Sequence, residues 1–231
     1  MESNDSGAGA RPKKIGIILD GNRRFAMRAG KKAFEGHKAG YLKFKEFLAW
    51  AVDEHIETVA AYAFSTENWK RIPEEVEYLL NLFRSLLERE LQELVEKNVR
   101  LICAGDVRRF PDDLRELIVG AEERTKHCTK LTLYLAISYG GHAEILDACR
   151  RAVEAGKAPE SEKEFLDMLW VPMEPDLIIR TGGDERLSNF LSWQSAYSEF
   201  FFTPTLWPDF TREEFQQILG AYERRQRRFG V

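Results

Sequence analysis

Five short runs of β-branched and aliphatic residues recur along the chain, at Lys14–Leu19, Thr58–Phe64, Val99–Ala104, Leu131–Ile137 and Asp176–Ile179. Apolar runs of this length without polar alternation fit strands buried on both faces, the habit of parallel sheets. Between the runs the apolar period changes. Tyr41, Phe44, Phe47, Leu48 and Ala51 step by three and four, and so do Val76, Leu79, Leu80, Phe83, Leu86, Leu87, Leu91, Leu94 and Val95. That period belongs to amphipathic helices, and the second series predicts one long helix over 76–95. Pro111 before Asp112-Asp113 opens a further helix, and Gly140-Gly141 makes a second strand-to-helix turn. Strand and helix in alternation predict an α/β fold, a single domain with a central, mainly parallel sheet of about six strands surrounded by helices. Residues 1–12, rich in Ser, Gly, Asn and Ala, read as a disordered leader, and 13–231 as the domain. Residues 156–162 and 171–176 read as surface loops.

Charge narrows the function. Lys and Arg number 34 against 38 Asp and Glu, a net charge of −4, so no global basic field draws nucleic acid and any anion site must be local. No apolar run approaches the ~18 residues of a spanning helix, and Met1–Ala10 lacks the regions of a signal peptide. Cys103, Cys128 and Cys149 are odd in number and show no metal-ligand spacing, which predicts free thiols in a reducing, cytoplasmic compartment.

In an open parallel sheet, ligands bind beyond the carboxyl ends of the strands, and that rule selects three clusters. The first strand ends in Asp20-Gly21-Asn22-Arg23-Arg24, where a carboxylate and two guanidinium groups meet the start of a helix. A phosphate would suit that place, and so would simple helix capping by Asp20 or Asn22. The second ends in Ser65-Thr66-Glu67-Asn68-Trp69-Lys70-Arg71, where Ser65 or Thr66 is a natural cap and Trp69 a natural core residue. The run ending at Ile179 continues as Arg180-Thr181-Gly182-Gly183-Asp184-Glu185-Arg186-Leu187-Ser188, two arginines around a Gly-Gly turn. Arginine forks match phosphate oxygens, while salt bridges to Asp184 and Glu185 are the competing use.

Taken in order, LDGNRRFA, GHKAG, YAFSTENWKR and IRTGGDERLSNFLSWQSAYSE resemble the signature regions of cis-prenyltransferases, the undecaprenyl and dehydrodolichyl diphosphate synthase group. The resemblance runs from about Lys13 to Arg227-Arg228-Phe229-Gly230. It implies a central parallel sheet with helices around it, and Asp20 as the catalytic carboxylate that holds Mg²⁺ on an allylic diphosphate. Gly21, Asn22, Arg23, Arg24 and His37 match the surrounding diphosphate site. Ser65, Asn68, Trp69 and Arg71 match the junction between the two substrates, with Asn68 as a second catalytic residue. Arg180, Arg186 and Ser188 resemble the clamp for isopentenyl diphosphate. Glu199 resembles an acidic residue of the metal site, contributed within the chain or from a partner subunit. Arg228 and Gly230 fit a terminal RxG pattern that closes over the diphosphate.

The sequence departs from the family at three places. Ala33 stands where an arginine is usual, with Lys31 and Lys32 just before it. Ser138-Tyr139-Gly140-Gly141-His142 replaces a common Asn-Tyr-Gly-Gly-Arg, and Asp184 replaces a glutamate.

The implied reaction is repeated cis addition of isopentenyl diphosphate to an allylic diphosphate primer, giving a polyprenyl diphosphate that is delivered to a membrane by peripheral contact. A homodimer is implied too, its contact near the aromatic stretch from Phe190 to Trp207. The growing tail requires an apolar tunnel, placed between the helix around Phe44, Phe47 and Leu48 and the helix over 76–95, with Leu79, Phe83, Leu86 and Leu87 along it. Two readings compete. An all-helical trans-prenyltransferase needs paired DDxxD motifs, and Asp112-Asp113 occurs once, at a helix start. A non-catalytic accessory subunit should lack parts of the catalytic set, whereas Asp20, Asn68, Arg180, Arg186 and Ser188 are all present.

Overall fold

The computed structural model describes residues 11–225. Six strands form one sheet, β1 (Lys14–Ile18), β2 (Thr58–Ser65), β3 (Val99–Ala104), β4 (Leu131–Tyr139), β5 (Leu177–Arg180) and β6 (Glu199–Phe202). Their order is β3-β4-β2-β1-β5-β6, and every pairing is parallel. Among the described residues the helices are α1 (Asn22–Arg28), α2 (Ala33–Asp53), α3 (Pro73–Arg89), α4 (Leu91–Glu96), α5 (Asp112–Thr125), α6 (Gly141–Glu154), α7 (Glu162–Asp167) and α8 (Arg212–Glu223).

The five apolar runs all became strands because both faces of the sheet are covered. Ile15 and Ile17 of β1 join the core beneath α2, α3 and α8, while Ile18 joins Ala60, Ala136, Ile178 and Phe190 on the other face. Gly16 also belongs to that second face, where a Cβ would sit 3.2 Å from the Phe190 ring. The sixth strand, β6, was not legible in the sequence. It is four residues long, lies at the sheet edge and keeps Phe200, Phe201 and Phe202 partly or well exposed, so no buried run marks it.

Three expectations change. The helix over 76–95 is two helices, broken at Glu90 (φ −102°, ψ −3°), although the apolar period runs on through the break. The break turns α4 onto β3 while α3 stays against α2 and α5, a tertiary demand that a periodic pattern cannot carry. Part of the reading of 1–12 as leader is corrected as well. Arg11 pairs with Glu54 at 3.1 Å and with Glu223 at 2.6 Å, and Pro12 is buried, so the ordered chain begins before Lys13. The remainder of that stretch lies outside the described residues. Third, a short helix, α7, begins at the end of the loop read over 156–162, its first turn capped by the Ser161 hydroxyl, which accepts from the Glu164 N–H at 3.2 Å.

Strand order reverses around β1, whose neighbours β2 and β5 lead to opposite halves of the sheet. That switch point leaves a crevice at the carboxyl ends of β1, β2 and β5. The three sequence clusters follow those three strand ends.

Candidate active site

Asp20 follows β1 and is fixed through both its backbone and its carboxylate. Its carbonyl accepts from the Thr181 hydroxyl at 2.8 Å and from the Trp207 N–H at 2.9 Å. Its carboxylate accepts from Arg180 Nη2 at 2.9 Å and lies 3.0 Å from Arg24 Nη2. Burial pushes the Asp20 carboxyl up, but the hydrogen bonds from Arg180 and Arg24 outweigh it and hold the pKa below 3.8. The group is therefore an anion at neutral pH.

Arg180 is itself buried, at 4% exposure. The Nη2 that bonds Asp20 also reaches Asp184 Oδ2 at 3.3 Å, Nη1 donates to Ser188 Oγ at 2.8 Å and to the Arg186 carbonyl, and the buried Nε has no partner. Arg186 reaches Asp184 at 2.8 Å and otherwise faces solvent. The backbone beside them is strained. Ser188, Asn189 and Leu191 occupy the left-handed region at φ 50°, 65° and 46°. Such conformations persist only where surrounding bonds over-determine them, and here Gly141 and His142 donate N–H groups to the Asn189 carbonyl and side-chain oxygen at 2.7 and 2.9 Å. Gly182 (φ +89°) leaves room for Arg24, whose Nη2 would lie 2.5 Å from a Cβ at that position.

The GHKAG motif has a packing reason. Gly36 and Gly40 are one turn apart on α2, and α1 rests on them. A Cβ at Gly36 would come within 2.0 Å of the Asn22 carbonyl oxygen, and one at Gly40 within 2.1 Å of Asn22 Oδ1. Gly21 (φ +114°) makes the turn into α1 against Leu206. On the intervening turn of α2, His37 meets Glu75 of α3, with Nε2 3.0 Å from Oε1. The same Glu75 oxygen accepts from Arg71 at 2.9 Å and stands 4.0 Å from Arg23. Burial lowers the His37 pKa below 6.5 against the pull of Glu75. Sequence reasoning missed Glu75. It sits two residues after Pro73 and looked like an ordinary acid in a first helical turn, and only its i,i+4 spacing from Arg71 hinted at the pair.

At the end of β2, Asn68 Oδ1 accepts the Ser65 N–H at 3.1 Å, closing the short 3₁₀ turn over Thr66–Lys70. That bond commits the amide oxygen and orients the side chain. Trp69 turns the other way. It packs between Phe64 and Phe110, donates to Ser138 Oγ at 3.0 Å and carries the Arg109 guanidinium over its ring. Ser138, one of the departures from the family, is thus a buried partner for Trp69 at φ +49°.

A cavity of about 250 Å³ opens at this site. Asp20, Asn22, His37, Ser65, Asn68 and Arg71 lie at its polar end, and Tyr41 and Phe44 of α2 face Leu79, Phe83 and Leu86 of α3 along its body. The tunnel expected from sequence therefore lies between the helices named for it. Phe47, Leu48 and Leu87 are core residues that do not reach its wall, and Trp69 does not reach it either.

One expected pairing fails within the chain. Glu199 opens β6 opposite Leu177, whereas Arg180 pairs with Phe202, so Glu199 lies three residues, ~10 Å, below the strand ends that carry Asp20. Its carboxylate is ion-paired to Arg225. A single chain therefore does not join Asp20 and Glu199 at one metal, and no group of three or more His, Cys, Asp or Glu side chains among the described residues is arranged to hold one. Arg228 and Gly230 lie outside the described residues. Asp112 and Asp113 open α5 and pair with Arg115 and Arg84, the part of a helix start.

The profile of the prenyltransferase family described as undecaprenyl diphosphate synthase matches residues 18–230. A geranylgeranyl-diphosphate-specific tritrans,polycis-undecaprenyl-diphosphate synthase of Thermoplasma volcanium is 46% identical over 95% of this chain and 89% of its own. The farnesyl-diphosphate-specific ditrans,polycis enzyme of Micrococcus luteus is 42% identical over 100% of this chain and 96% of its own. Among solved structures, lavandulyl diphosphate synthase from Lavandula x intermedia, in complex with dimethylallyl diphosphate, superposes with a TM-score of 0.90 at 33% identity, covering 96% of this chain and 99% of that one. With the match spanning nearly every described residue, the chain belongs to the undecaprenyl diphosphate synthase family of prenyltransferases.

Proposed function

We propose that this chain adds isopentenyl diphosphate, unit by unit and with cis geometry, to an allylic prenyl diphosphate. The observation that carries the reading is a single cavity with Asp20, Asn68 and Arg71 at one end and aromatic and aliphatic walls along its length. A molecule with a diphosphate head and an isoprenoid tail asks for that combination.

In this reading Asn22, Arg23, Arg24, His37 and Arg71 receive the allylic diphosphate, and Gly21 lets the backbone approach it. Arg186, largely exposed and tethered only to Asp184, meets isopentenyl diphosphate. Arg180 orients Asp20 and Ser188 and keeps one buried donor, Nε, for the same substrate. The allylic carbon–oxygen bond breaks, and diphosphate leaves with the electron pair. The electrons of the C3–C4 double bond of isopentenyl diphosphate bond C4 to the allylic carbon, and a C2 proton passes to an oxygen of the departing diphosphate as the C2–C3 double bond forms. Arginine donors fixed before the reaction stabilise the leaving charge, and holding both substrates in attack geometry supplies much of the rate. Asn68, its oxygen already committed to Ser65, presents its NH₂ group as a donor between the two substrates.

Asp20 fits Mg²⁺ as an ionised hard oxygen ligand, and that ion commonly takes one or two protein carboxylates beside substrate phosphates and water. The metal, when bound, neutralises diphosphate charge. A dimer formed through the β6 edge and its aromatic neighbours would cover Trp193 and Phe202, which are 40% and 37% exposed. Among the described residues no helix is long and apolar enough to cross a membrane, so handing a polyprenyl product to a bilayer calls for peripheral contact. The test is turnover by the purified chain alone, with Mg²⁺, labelled isopentenyl diphosphate and a farnesyl or geranylgeranyl primer. Labelled polyprenyl diphosphate is expected. Product formed only after a second protein is added would point to an accessory subunit, for which none of the relatives above offers support.

A further inference from the structure

The helices that wall the cavity, α2 and α3, are tied by polar side chains at both of its ends. At the polar mouth His37 meets Glu75. At the opposite end Lys45 donates to Glu90 at 2.5 Å and pairs with Glu93 at 2.7 Å, and Lys97 holds Glu93 at 2.6 Å. Lys45 lies one turn beyond the wall residue Tyr41 on the same face of α2, and Glu90 one turn beyond Leu86, the last wall residue of α3. Glu90 is also the single residue between α3 and α4. The cluster thus lies just outside the cavity lining, one helical turn past Tyr41 and Leu86, at the joint of the longer wall, and helix geometry puts it at the foot of the cavity.

Glu93 is ionised at neutral pH. Hydrogen bonds from Lys45 and Lys97 hold the Glu93 carboxyl at about 2, and burial together with the Glu90 charge pushes the Tyr41 hydroxyl up to about 12. The cavity is small for its task. At about 250 Å³ it compares with the ~150 Å³ that accommodates one benzene, so it encloses only a short prenyl chain. A tail that grows further must advance toward the foot, and there it meets half-exposed charges whose desolvation opposes it.

We propose that the Lys45–Glu90–Glu93 cluster is the stop for the growing prenyl chain, closing the foot of the cavity with charge and so determining product length. The inference rests on the functional reading above and identifies specificity residues away from the reacting atoms.

The test uses the full chain with Mg²⁺, labelled isopentenyl diphosphate and a farnesyl primer, and reads the first-condensation rate separately from the product-length distribution. Lys45→Met keeps the stem and removes the charge, Glu90→Gln loosens the cluster from the other helix, and Lys45→Arg keeps the charge. Lys45→Met and Glu90→Gln are expected to lengthen the dominant product by at least one isoprene unit, with the first condensation within about twofold of wild type. Lys45→Arg should keep the wild-type length. Unchanged or shortened products from Lys45→Met and Glu90→Gln, with the first condensation intact, would overturn the proposal, as would lengthening by Lys45→Arg. Should Lys45→Met fail to fold, Glu90→Gln decides alone. A wild-type chain that elongates no primer overturns the functional reading itself, an outcome visible in the control rather than in the variants.

Discussion

Burial separates two arginines that look equivalent in sequence. Arg180 is 4% exposed and ties Asp20, Asp184 and Ser188 together, whereas the Arg186 side chain is 62% exposed and holds one ion pair. Removing one partner of a buried pair costs ~3 kcal/mol or more, and an exposed pair is worth ~0 to 1. Arg180→Ala should therefore lower the unfolding midpoint in urea clearly, while Arg186→Ala leaves it near wild type and raises KM for isopentenyl diphosphate. Equal losses of stability in the two variants would contradict this division. Asp20→Asn keeps the shape of the Arg180 contact and removes the charge, so turnover should drop on the order of 100-fold or more while the fold is retained. Near-normal turnover at saturating Mg²⁺ would remove Asp20 from the catalytic role. His37 supplies the pH dependence. Its pKa in the folded chain is below 6.5, so the unfolded chain binds the proton more readily. The stability from a neutral His37 is complete above about pH 6.5 and declines as pH falls below it. Urea unfolding at about pH 5.5 and 7.5 should show this decline in wild type and a smaller one in His37→Gln.

At the scale of elements, α2 and α3 wall one cavity and are tied by His37 and Glu75 at one end and by Lys45 and Glu90 at the other. The apolar faces between them are wall rather than contact. Leu79, Phe83 and Leu86 face the cavity, so changes in their size alter free space without opening a void in the packed core. Phe83→Ala should lengthen the product and Leu79→Phe shorten it, both with a nearly unchanged first condensation. Leu87→Ala is the contrasting variant. Leu87 is 2% exposed and off the wall, so its truncation should cost ~2 to 5 kcal/mol of stability and leave product length alone. Product analysis by chain length beside thermal melts distinguishes the two classes.

For the whole molecule, β6 presents an aromatic sheet edge that the described residues leave partly uncovered, since Phe200 and Phe202 stack with centroids 6.3 Å apart in partly exposed positions. Light scattering at micromolar concentration should give a dimer, and a fully active monomer would refute it. Much of this architecture was legible in the sequence. Fully apolar runs and a 3.6-residue period are local consequences of burial on two faces or one, so five strands, the main helices and the α/β class could be read directly. The strand-end rule then selected the clusters after β1, β2 and β5, and within them the family resemblance picked out Asp20, Asn68 and Arg180. Four things depended on tertiary structure. Glu75 joined the site because α2 packs against α3 and sets His37 beside it. Trp69 turned into the core toward Ser138, and Glu199 was carried below the strand ends by the β5–β6 register. The long helix broke at Glu90 where two packing partners diverge. Periodicity records which side of an element is buried, but not which distant residue it is buried against, and those four outcomes are set by contacts between residues far apart in the chain.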